Sequence, residues 1–311
     1  MQWLCFCQCD EEKERCAPDV PFSLLPVYGR MQSEMVRRER KVNISFLYPE
    51  GKKKALTFSY DDNQIYDRRL VGILNENGLK GTFHLNSAMV GTKTEQDEFV
   101  GWDEVLELYK GHEVSCHGLH HPYFGQLSKE QAAYEIREDK RLLEKVVSYP
   151  VRGMSYPFGE FSDAMIDVLS SQGMEYARTV EDTGNFNWPV DFMKWHPTCH
   201  HNRAFSDKKL LENFLNPPSY YNLPLFYIWG HSFEFHREKT WEAMETFCAA
   251  VSGKEDVWYA TNIEIKDYIT AVRNLVFGVG ETMVLNPSAQ KIWYKEGNEV
   301  KVLLPGQTVK L

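Results

Sequence analysis

Short apolar runs recur through the middle of the chain, each a few residues long and bounded by turn-forming or charged residues. Runs of this length and flanking are typical of strands buried on both faces of a parallel sheet. Seven segments fit this description, at residues 55–60, 82–85, 113–116, 153–156, 176–180, 225–229 and 257–260. The pattern therefore predicts seven buried strands.

Helical patterns, with apolar residues every three or four positions, lie between these runs. The clearest covers residues 128–148 and begins with Ser128 and Gln131, the spacing of a capping box. Further helices are predicted at residues 64–76, 162–172, 207–216, 240–252 and 263–276. Strands that alternate with helices form parallel βαβ units, and seven units over about 230 residues favour a barrel over an open sheet. The fold class predicted is α/β.

Both ends of the chain differ from this pattern. Residues 1–40 mix Pro, Cys and charged residues without periodicity, which indicates an N-terminal tail or cover segment. Residues 41–276 would form the barrel. Residues 277–311 alternate short apolar runs with turn residues, so we expect a small all-β appendage there.

Composition and charge narrow the class of protein. The chain has 311 residues, of which 43% are apolar and 25% charged, as in ordinary globular proteins. Its net charge of −9 offers no basic patch for nucleic acid. There is no apolar run of the roughly 18 residues that a membrane span needs, and no secretory signal at the start. We expect a cytoplasmic protein, or a secreted one if a leader is missing, and the sequence does not specify an oligomeric state.

Four of the seven cysteines lie within the first sixteen residues, at Cys5, Cys7, Cys9 and Cys16. Their spacing matches neither a disulfide framework nor a zinc module, so we interpret them as part of a functionally neutral tail.

Four of the ten histidines lie between residues 112 and 122, where a strand-like run ends. His117 and His121 are four residues apart, and on one helical turn this spacing would put both imidazoles on the same side, ready to share a metal ion. A histidine-rich surface loop is the alternative interpretation, because this spacing alone is a weak signal.

Asp61 and Asp62 follow the first predicted strand. Two adjacent carboxylates are costly to bring together unless they share a cation or a proton, so one would bind a metal while the other acts as a base. A pair of helix N-cap residues is the alternative. Because active sites of barrels lie at the C-terminal ends of the strands, Asp62, His117 and His121 would converge on one ion and leave a position for water.

Five stretches of the chain occur in the order of the five motifs of polysaccharide deacetylases, carbohydrate esterase family 4. They are Thr57-Phe58 with Asp61-Asp62, His117-x-x-x-His121, Ser155-Tyr-Pro-Phe-Gly159, Asp191-Phe192 and Ile228-Trp-Gly-His231. The resemblance covers about residues 43–270 and is greatest to the subset with Thr-Phe-Ser-Tyr-Asp-Asp and Trp-Gly-His-Ser.

This resemblance implies a distorted (β/α)7 barrel and a divalent metal ion, usually zinc. By resemblance, Asp62, His117 and His121 are the metal ligands, Asp61 is the general base and His231 is the general acid. The family also places an oxyanion-binding N–H in the third motif, here at Phe158.

The implied function is that of a hydrolase that removes acetyl groups from an N-acetylated, or O-acetylated, carbohydrate. Hydrolysis of an acetamide needs a polarised carbonyl, a nucleophilic water and a proton for the leaving nitrogen, and the metal, Asp61 and His231 would supply them. We take Tyr156, Trp195 and Trp229 as candidate substrate contacts.

The chain departs from the family's motifs at several positions. Asn63 replaces a glycine, which is tolerable because asparagine also adopts left-handed backbone geometry. Gly118 replaces Ser or Thr, and His120 lies beside a ligand, so a pairing of His117 with His120 competes with the pairing of His117 with His121.

The third departure is Ser155, which stands where the family has an arginine that orients the base. Arg178 ends the next predicted strand, and an inward-facing guanidinium there would reach the same carboxylate. Arg152 begins its strand and should lie at the other end of the barrel. The alternative is that Arg178 is an ordinary surface ion-pair residue.

Two other functions remain open at the level of sequence. One is a metal-independent hydrolase of cyclic amides with the same fold, against which the intact Asp62, His117 and His121 argue. The other is a non-catalytic carbohydrate-binding relative, with the β appendage and Trp188, Trp195 and Trp229 as its sugar platform.

Overall fold

The structure, a computed structural model, describes residues 44–311. The predicted tail at residues 1–40, with its four cysteines, lies outside the described residues. All seven predicted strands are present, and they are joined in one parallel sheet by an eighth, Cys199–His200, which was not predicted. The strands are β2 (Lys54–Asp61), β3 (Gly81–Leu85), β4 (Glu113–Cys116), β5 (Gly153–Ser155), β6 (Tyr176–Arg178), β7 (Cys199–His200), β8 (Leu225–His231) and β9 (Val257–Tyr259).

The sheet curls on itself in the order β6-β5-β4-β3-β2-β8-β7, and β9 pairs with the first residues of β2. The segment from Trp195 to Cys199 links the two edges of the sheet. Trp195 forms a parallel bridge with Arg178 of β6, and Cys199 of β7 pairs with Ile228 of β8. The result is a distorted (β/α) barrel, which confirms the predicted fold class.

All six predicted helices are present. The longest has the capping box that the sequence indicated: the Gln131 N–H donates to Ser128 Oγ (3.2 Å) and the Ser128 N–H to Gln131 Oε1 (2.9 Å). Three shorter helices, Val105–Leu108, His201–Ser206 and Ser232–Glu238, were not predicted. The helices are α1 (Asp67–Glu76), α2 (Val105–Leu108), α3 (Lys129–Val147), α4 (Asp163–Ser171), α5 (His201–Ser206), α6 (Lys208–Leu215), α7 (Ser232–Glu238), α8 (Trp241–Val251) and α9 (Asn262–Arg273).

Strand β2 is the centre of the sheet, and all eight of its residues are buried. It pairs with β3 on one side and β8 on the other, in a register that sets Asp61 opposite both His84 and His231. Because every strand of this sheet runs in the same direction, the residues that end them meet at one rim of the barrel.

The C-terminal region forms two small antiparallel sheets, as the predicted β appendage requires. One contains β10 (Val276–Phe277), β11 (Met283–Leu285) and β14 (Thr308–Lys310), and the other contains β12 (Ile292–Glu296) and β13 (Glu299–Leu303). The second sheet is completed by β1 (Ile44–Leu47), which pairs with β12. The Trp293 N–H donates to the hydroxyl of Tyr268 in α9 (3.1 Å), so this sheet packs on the barrel. Among the described residues, no helix is both long and apolar enough to cross a membrane.

Candidate active site

A cleft of about 350 Å³ opens at the rim where the strands end. Residues from the ends of β2 and β8, and from the loops that follow β4, β5 and β6, form its walls. The lining residues are Asp61, Asp62, His117, His121, Tyr156, Phe158, Val180, Trp229 and His231.

Asp62, His117 and His121 form a compact group of metal-type donors, as predicted. Asp62 Oδ1 lies 3.5 Å from His117 Nε2 and 3.6 Å from His121 Nε2, and the three donor atoms all lie within 4.8 Å of one another. A tetrahedral zinc ion with bonds of about 2.0–2.1 Å would separate its ligand atoms by about 3.3–3.4 Å. The group therefore fits a divalent ion of this size.

The two histidines meet on a loop, so the prediction that they share a helical turn was wrong. Gly118 has φ of 77° and His121 has φ of 54°, and these two left-handed residues curl the loop back on itself. A Cβ atom at Gly118 would lie 2.9 Å from Pro122 Cδ, which explains why glycine occupies the position. The loop thus brings the imidazoles together at the spacing that a helix would otherwise supply.

The orientation of His117 is set by its neighbours. Its Nδ1 lies 2.9 Å from the carbonyl oxygen of Ser155 and 2.7 Å from Ser155 Oγ, and its backbone N–H donates to the buried carboxyl of Asp139 (3.1 Å). A proton on Nδ1 donated to Ser155 leaves the lone pair of Nε2 pointing at Asp62. Burial lowers the pKa of His117 to about 3, so the ring is neutral at pH 7 and suited to bind a metal.

Asp61 is buried and tightly held. Its Oδ1 accepts a hydrogen bond from Ser155 Oγ (3.0 Å), and its Oδ2 accepts one from Nη2 of Arg178. Burial by itself would raise the pKa of Asp61, but the charge of the neighbouring Arg178 guanidinium outweighs it and holds the pKa well below its ordinary value. The carboxylate is therefore ionised and fixed in orientation.

Arg178 is fully buried and is not a surface ion-pair residue. Its Nη1 donates to the carbonyl oxygen of Thr179 (3.1 Å), and its guanidinium carbon lies 4.7 Å from the ring centre of Trp229. Arg152, the competitor considered from sequence, forms a two-pronged ion pair with Asp267 (3.0 and 2.7 Å) where β5 begins. The structure thus brings Arg178, and not Arg152, to Asp61.

His231 faces the metal-type donors from the end of β8. Its Nε2 lies 3.8 Å from Asp62 Oδ2, and its Nδ1 lies 3.3 Å from Glu234 Oε2. Burial would lower the pKa of His231, but the contact with Glu234 and the charges of Asp62 and Asp61 raise it above its ordinary value. The ring is held with one nitrogen toward the cleft.

Glu234 was missed at the sequence level. It lies in the first turn of α7, where its carboxylate accepts the backbone N–H of His231 (3.0 Å). A signal was present, because an acidic residue three positions after a strand end has the spacing of a capping box. Glu234 contacts the Nδ1 side of the His231 ring, whereas Asp62 lies on the Nε2 side.

The aromatic residues divide into two groups. Phe158 and Trp229 line the cleft, and the half-exposed ring of Phe158 stacks on Tyr123 with 3.7 Å between ring centres. The Tyr156 side chain is buried in the wall, and its hydroxyl donates to the carbonyl oxygen of Met193 (2.8 Å). Trp195 is only 1% exposed and packs in the core against Tyr227, so the expectation that it contacts substrate is wrong.

Two further residues lie away from the metal-type group. The ring of His120 is exposed and its Nδ1 is 2.9 Å from Glu135, which rules out its pairing with His117 in this structure. Asp191, from the fourth stretch of the resemblance, accepts the N–H of Met193 (2.8 Å) and caps the turn Phe192–Lys194. Asn63 has φ of 38°, in line with the left-handed geometry expected there.

Comparison with known proteins gives one family. Residues 48–177 match the family model described as polysaccharide deacetylase. The fold is similar to that of a candidate polysaccharide deacetylase from Mycobacterium smegmatis, with 18% identity and a TM-score of 0.54 over 74% of this chain and 94% of that one. No curated protein matches the sequence.

Two other solved structures match at lower TM-scores. One is a deacetylase from Streptococcus pyogenes in complex with acetate (18% identity, TM-score 0.38), where 40% of this chain covers 55% of that one. The other is a carbohydrate esterase family 4 pseudoenzyme from Bacillus anthracis (17% identity, TM-score 0.44), where 71% of this chain covers 68% of that one.

Proposed function

We propose that this chain, whose residues 48–177 match the polysaccharide deacetylase family model, is a metal-dependent hydrolase that removes acetyl groups from an N-acetylated carbohydrate. It would act on a carbon–nitrogen bond other than a peptide bond, and O-acetylated sugars are a second substrate class. The observation that carries this proposal is the placement of Asp62, His117 and His121 beside an ionised Asp61 that Arg178 holds.

Two imidazoles and one carboxylate are a donor set that favours zinc among the available divalent ions. When bound by Asp62, His117 and His121, such an ion would polarise the acetyl carbonyl and acidify a water molecule.

Asp61 is the proposed general base. It is ionised and lies beside the metal-type donors, with Oδ2 3.7 Å from His117 Nε2. Hydrogen bonds from Ser155 and Arg178 fix the carboxylate from two sides. They orient the carboxylate for proton transfer and do not make it a stronger base. In this role it accepts a proton from the attacking water.

His231 is the proposed general acid. An amine leaves poorly unless its nitrogen is protonated, and the Nε2 of His231 faces the cleft from the side opposite Glu234. The carboxylate of Glu234 stabilises the protonated ring. His231 therefore carries the proton that it would donate to the leaving nitrogen.

Exposed aromatic rings support a sugar as the substrate. Phe158 and Tyr123 present a stacked pair of half-exposed rings beside the cleft, and Trp229 forms part of its wall. Apolar ring faces combined with a few convergent polar groups are typical of small-molecule sites. We propose Phe158, through its backbone N–H, as the oxyanion donor.

Acetate release from a panel of acetylated oligosaccharides tests this proposal. The panel contains N-acetylated glucosamine oligomers and O-acetylated xylose oligomers, and each is incubated with zinc-loaded protein or with Asp61→Asn. Acetate released by the parent and not by Asp61→Asn supports the proposal. If the zinc-loaded parent binds these oligosaccharides but releases no acetate from any of them, the protein is a carbohydrate-binding relative instead.

A further inference from the structure

A second group of metal-type donors lies behind His231, where β7 ends and α7 begins. Glu234 Oε2 is 3.1 Å from His200 Nε2 and 3.4 Å from His201 Nε2, and the three donor atoms lie within 4.8 Å of one another. Like Asp62, His117 and His121, the group combines one carboxylate with two imidazoles, and its carboxylate–imidazole distances are slightly shorter. These two distances are close to the separation of about 3.3–3.4 Å between the ligand atoms of a tetrahedral zinc ion.

The burial of His201 gives an independent reason to suspect a ligand. Its side chain is fully buried, with its ring centre 4.3 Å from that of Phe235 and 5.5 Å from that of Phe205. Within residues 44–311, neither of its ring nitrogens has a hydrogen-bond partner. A buried polar group left in this state destabilises the fold, and a cation bound at Nε2 would offset part of that cost.

The chain also makes room for this imidazole. A Cβ atom at Gly230 would lie 2.0 Å from His201 Nδ1, so any larger residue there would displace the ring. Gly230 and the aromatic neighbours thereby hold Nε2 toward Glu234. The side chains of His200 and Glu234 are each 21% exposed, which leaves the group open to an ion from solvent.

We propose that His200, His201 and Glu234 bind a second divalent cation of the zinc class. The ring of His231 stands between the two donor groups, with Nε2 toward Asp62 and Nδ1 toward Glu234. The inference goes beyond the proposed function and does not depend on it, because it concerns ion binding alone.

The number of zinc ions bound by the full-length chain tests this proposal. Parent and variant proteins are saturated with Zn²⁺ under reducing conditions, dialysed against buffer with micromolar Zn²⁺ and analysed for bound metal, with thermal melting to confirm folding. The four N-terminal cysteines are shared by every variant, so each count is taken as a difference from the parent. His201 is left in place because truncating a fully buried ring would disturb the core as well.

We expect His200→Ala and Glu234→Gln each to bind one ion fewer than the parent. His121→Ala should also lose one, and the double variant His121→Ala/His200→Ala should lose two. His120→Ala is the matched control, because this exposed imidazole has one carboxylate partner, Glu135, at 2.9 Å and belongs to neither donor group. It should bind as many ions as the parent.

If His200→Ala and Glu234→Gln both bind as many ions as the parent, the proposal is overturned, and the cluster is a hydrogen-bonded network without metal. The number of ions bound by His121→Ala tests the first site separately. A result that excludes metal at one site therefore does not exclude metal at the other.

Discussion

Arg178 and Ser155 are register partners on the neighbouring strands β6 and β5, and both donate hydrogen bonds to the carboxylate of Asp61. Ser155 stands where the resemblance leads one to expect the arginine that orients the base. The guanidinium is therefore supplied by Arg178, which lies at the same level of the barrel as Ser155 but on the next strand. This relationship supports the proposal that Asp61 remains a competent base despite the departure in the third motif.

Replacing Arg178 with Lys should lower turnover by about 10²-fold, because an ammonium group cannot reproduce the planar contacts to Asp61, Thr179 and the ring of Trp229. Bound metal should not change, since Arg178 is not among the donors. Steady-state kinetics, metal analysis and thermal melting of the same preparation check this.

Arg152→Lys is the control, since Arg152 forms its ion pairs with Asp267 and Glu175 where β5 begins. Its turnover should stay close to that of the parent. Equal losses in the two variants would show that Arg178 has no particular role in orienting Asp61.

Asp61→Asn should retain its metal and lose about 10²–10⁴-fold in turnover, because the function removed is proton transfer. The substitution keeps the size of a side chain that is almost completely buried. The checks are kcat and bound metal. Near-parental turnover would mean that another group accepts the proton.

His231→Ala should impair amide hydrolysis more than ester hydrolysis. A sugar nitrogen must be protonated to leave, whereas an alkoxide leaves with less assistance, so the general acid matters more for N-acetyl groups. The ratio of kcat/KM for N-acetylated to O-acetylated oligosaccharides should fall in the variant. An unchanged ratio would contradict the role of His231 as the acid.

The stability of the fold should depend on pH through Glu113, far from the cleft, where β4 begins. Its carboxyl group is fully enclosed and accepts hydrogen bonds from Tyr176, Thr82 and the N–H of Ile263. Burial raises its pKa from 4.5 to about 7, although these donors lower it in part. The folded state therefore holds the proton more tightly than the unfolded chain, and this carboxyl costs stability as the pH rises from 4.5 to 7.

Glu113→Gln removes this cost. The free energy of unfolding of the variant, minus that of the parent, should rise by about 3 kcal/mol between pH 4.5 and pH 7 and then stay level. Urea unfolding across this range measures the difference. A difference that is flat or falls with pH would show that the pKa of Glu113 is not raised in the folded state.

Much of the barrel could be predicted because buried parallel strands leave continuous apolar runs in the sequence. Strand β7 left no such signal, since two residues, Cys199 and His200, are too few to show a period. Because β7 was not predicted, nothing in the sequence pattern placed His200 and His201 near Glu234, and the second donor group was missed.

The sequence predicted which residues form the candidate site better than it predicted their geometry. A spacing of four suggested a helical turn for His117 and His121, but left-handed residues in a loop achieve the same convergence. Trp195 was chosen for its type, and type alone does not say that its ring packs inward. Arg178 could be placed because the end of a strand fixes both its level and its neighbours.

Acetate release by metal-stripped protein is the measurement that tests the central claim most directly. The parent is treated with a chelator, dialysed, and assayed on an N-acetylated oligosaccharide before and after Zn²⁺ is restored, with His121→Ala treated in parallel. We predict that the stripped parent releases no acetate, that Zn²⁺ restores its rate, and that His121→Ala is not restored. Acetate release at the full rate by the stripped parent would contradict the assignment of Asp62, His117 and His121 as a catalytic metal site.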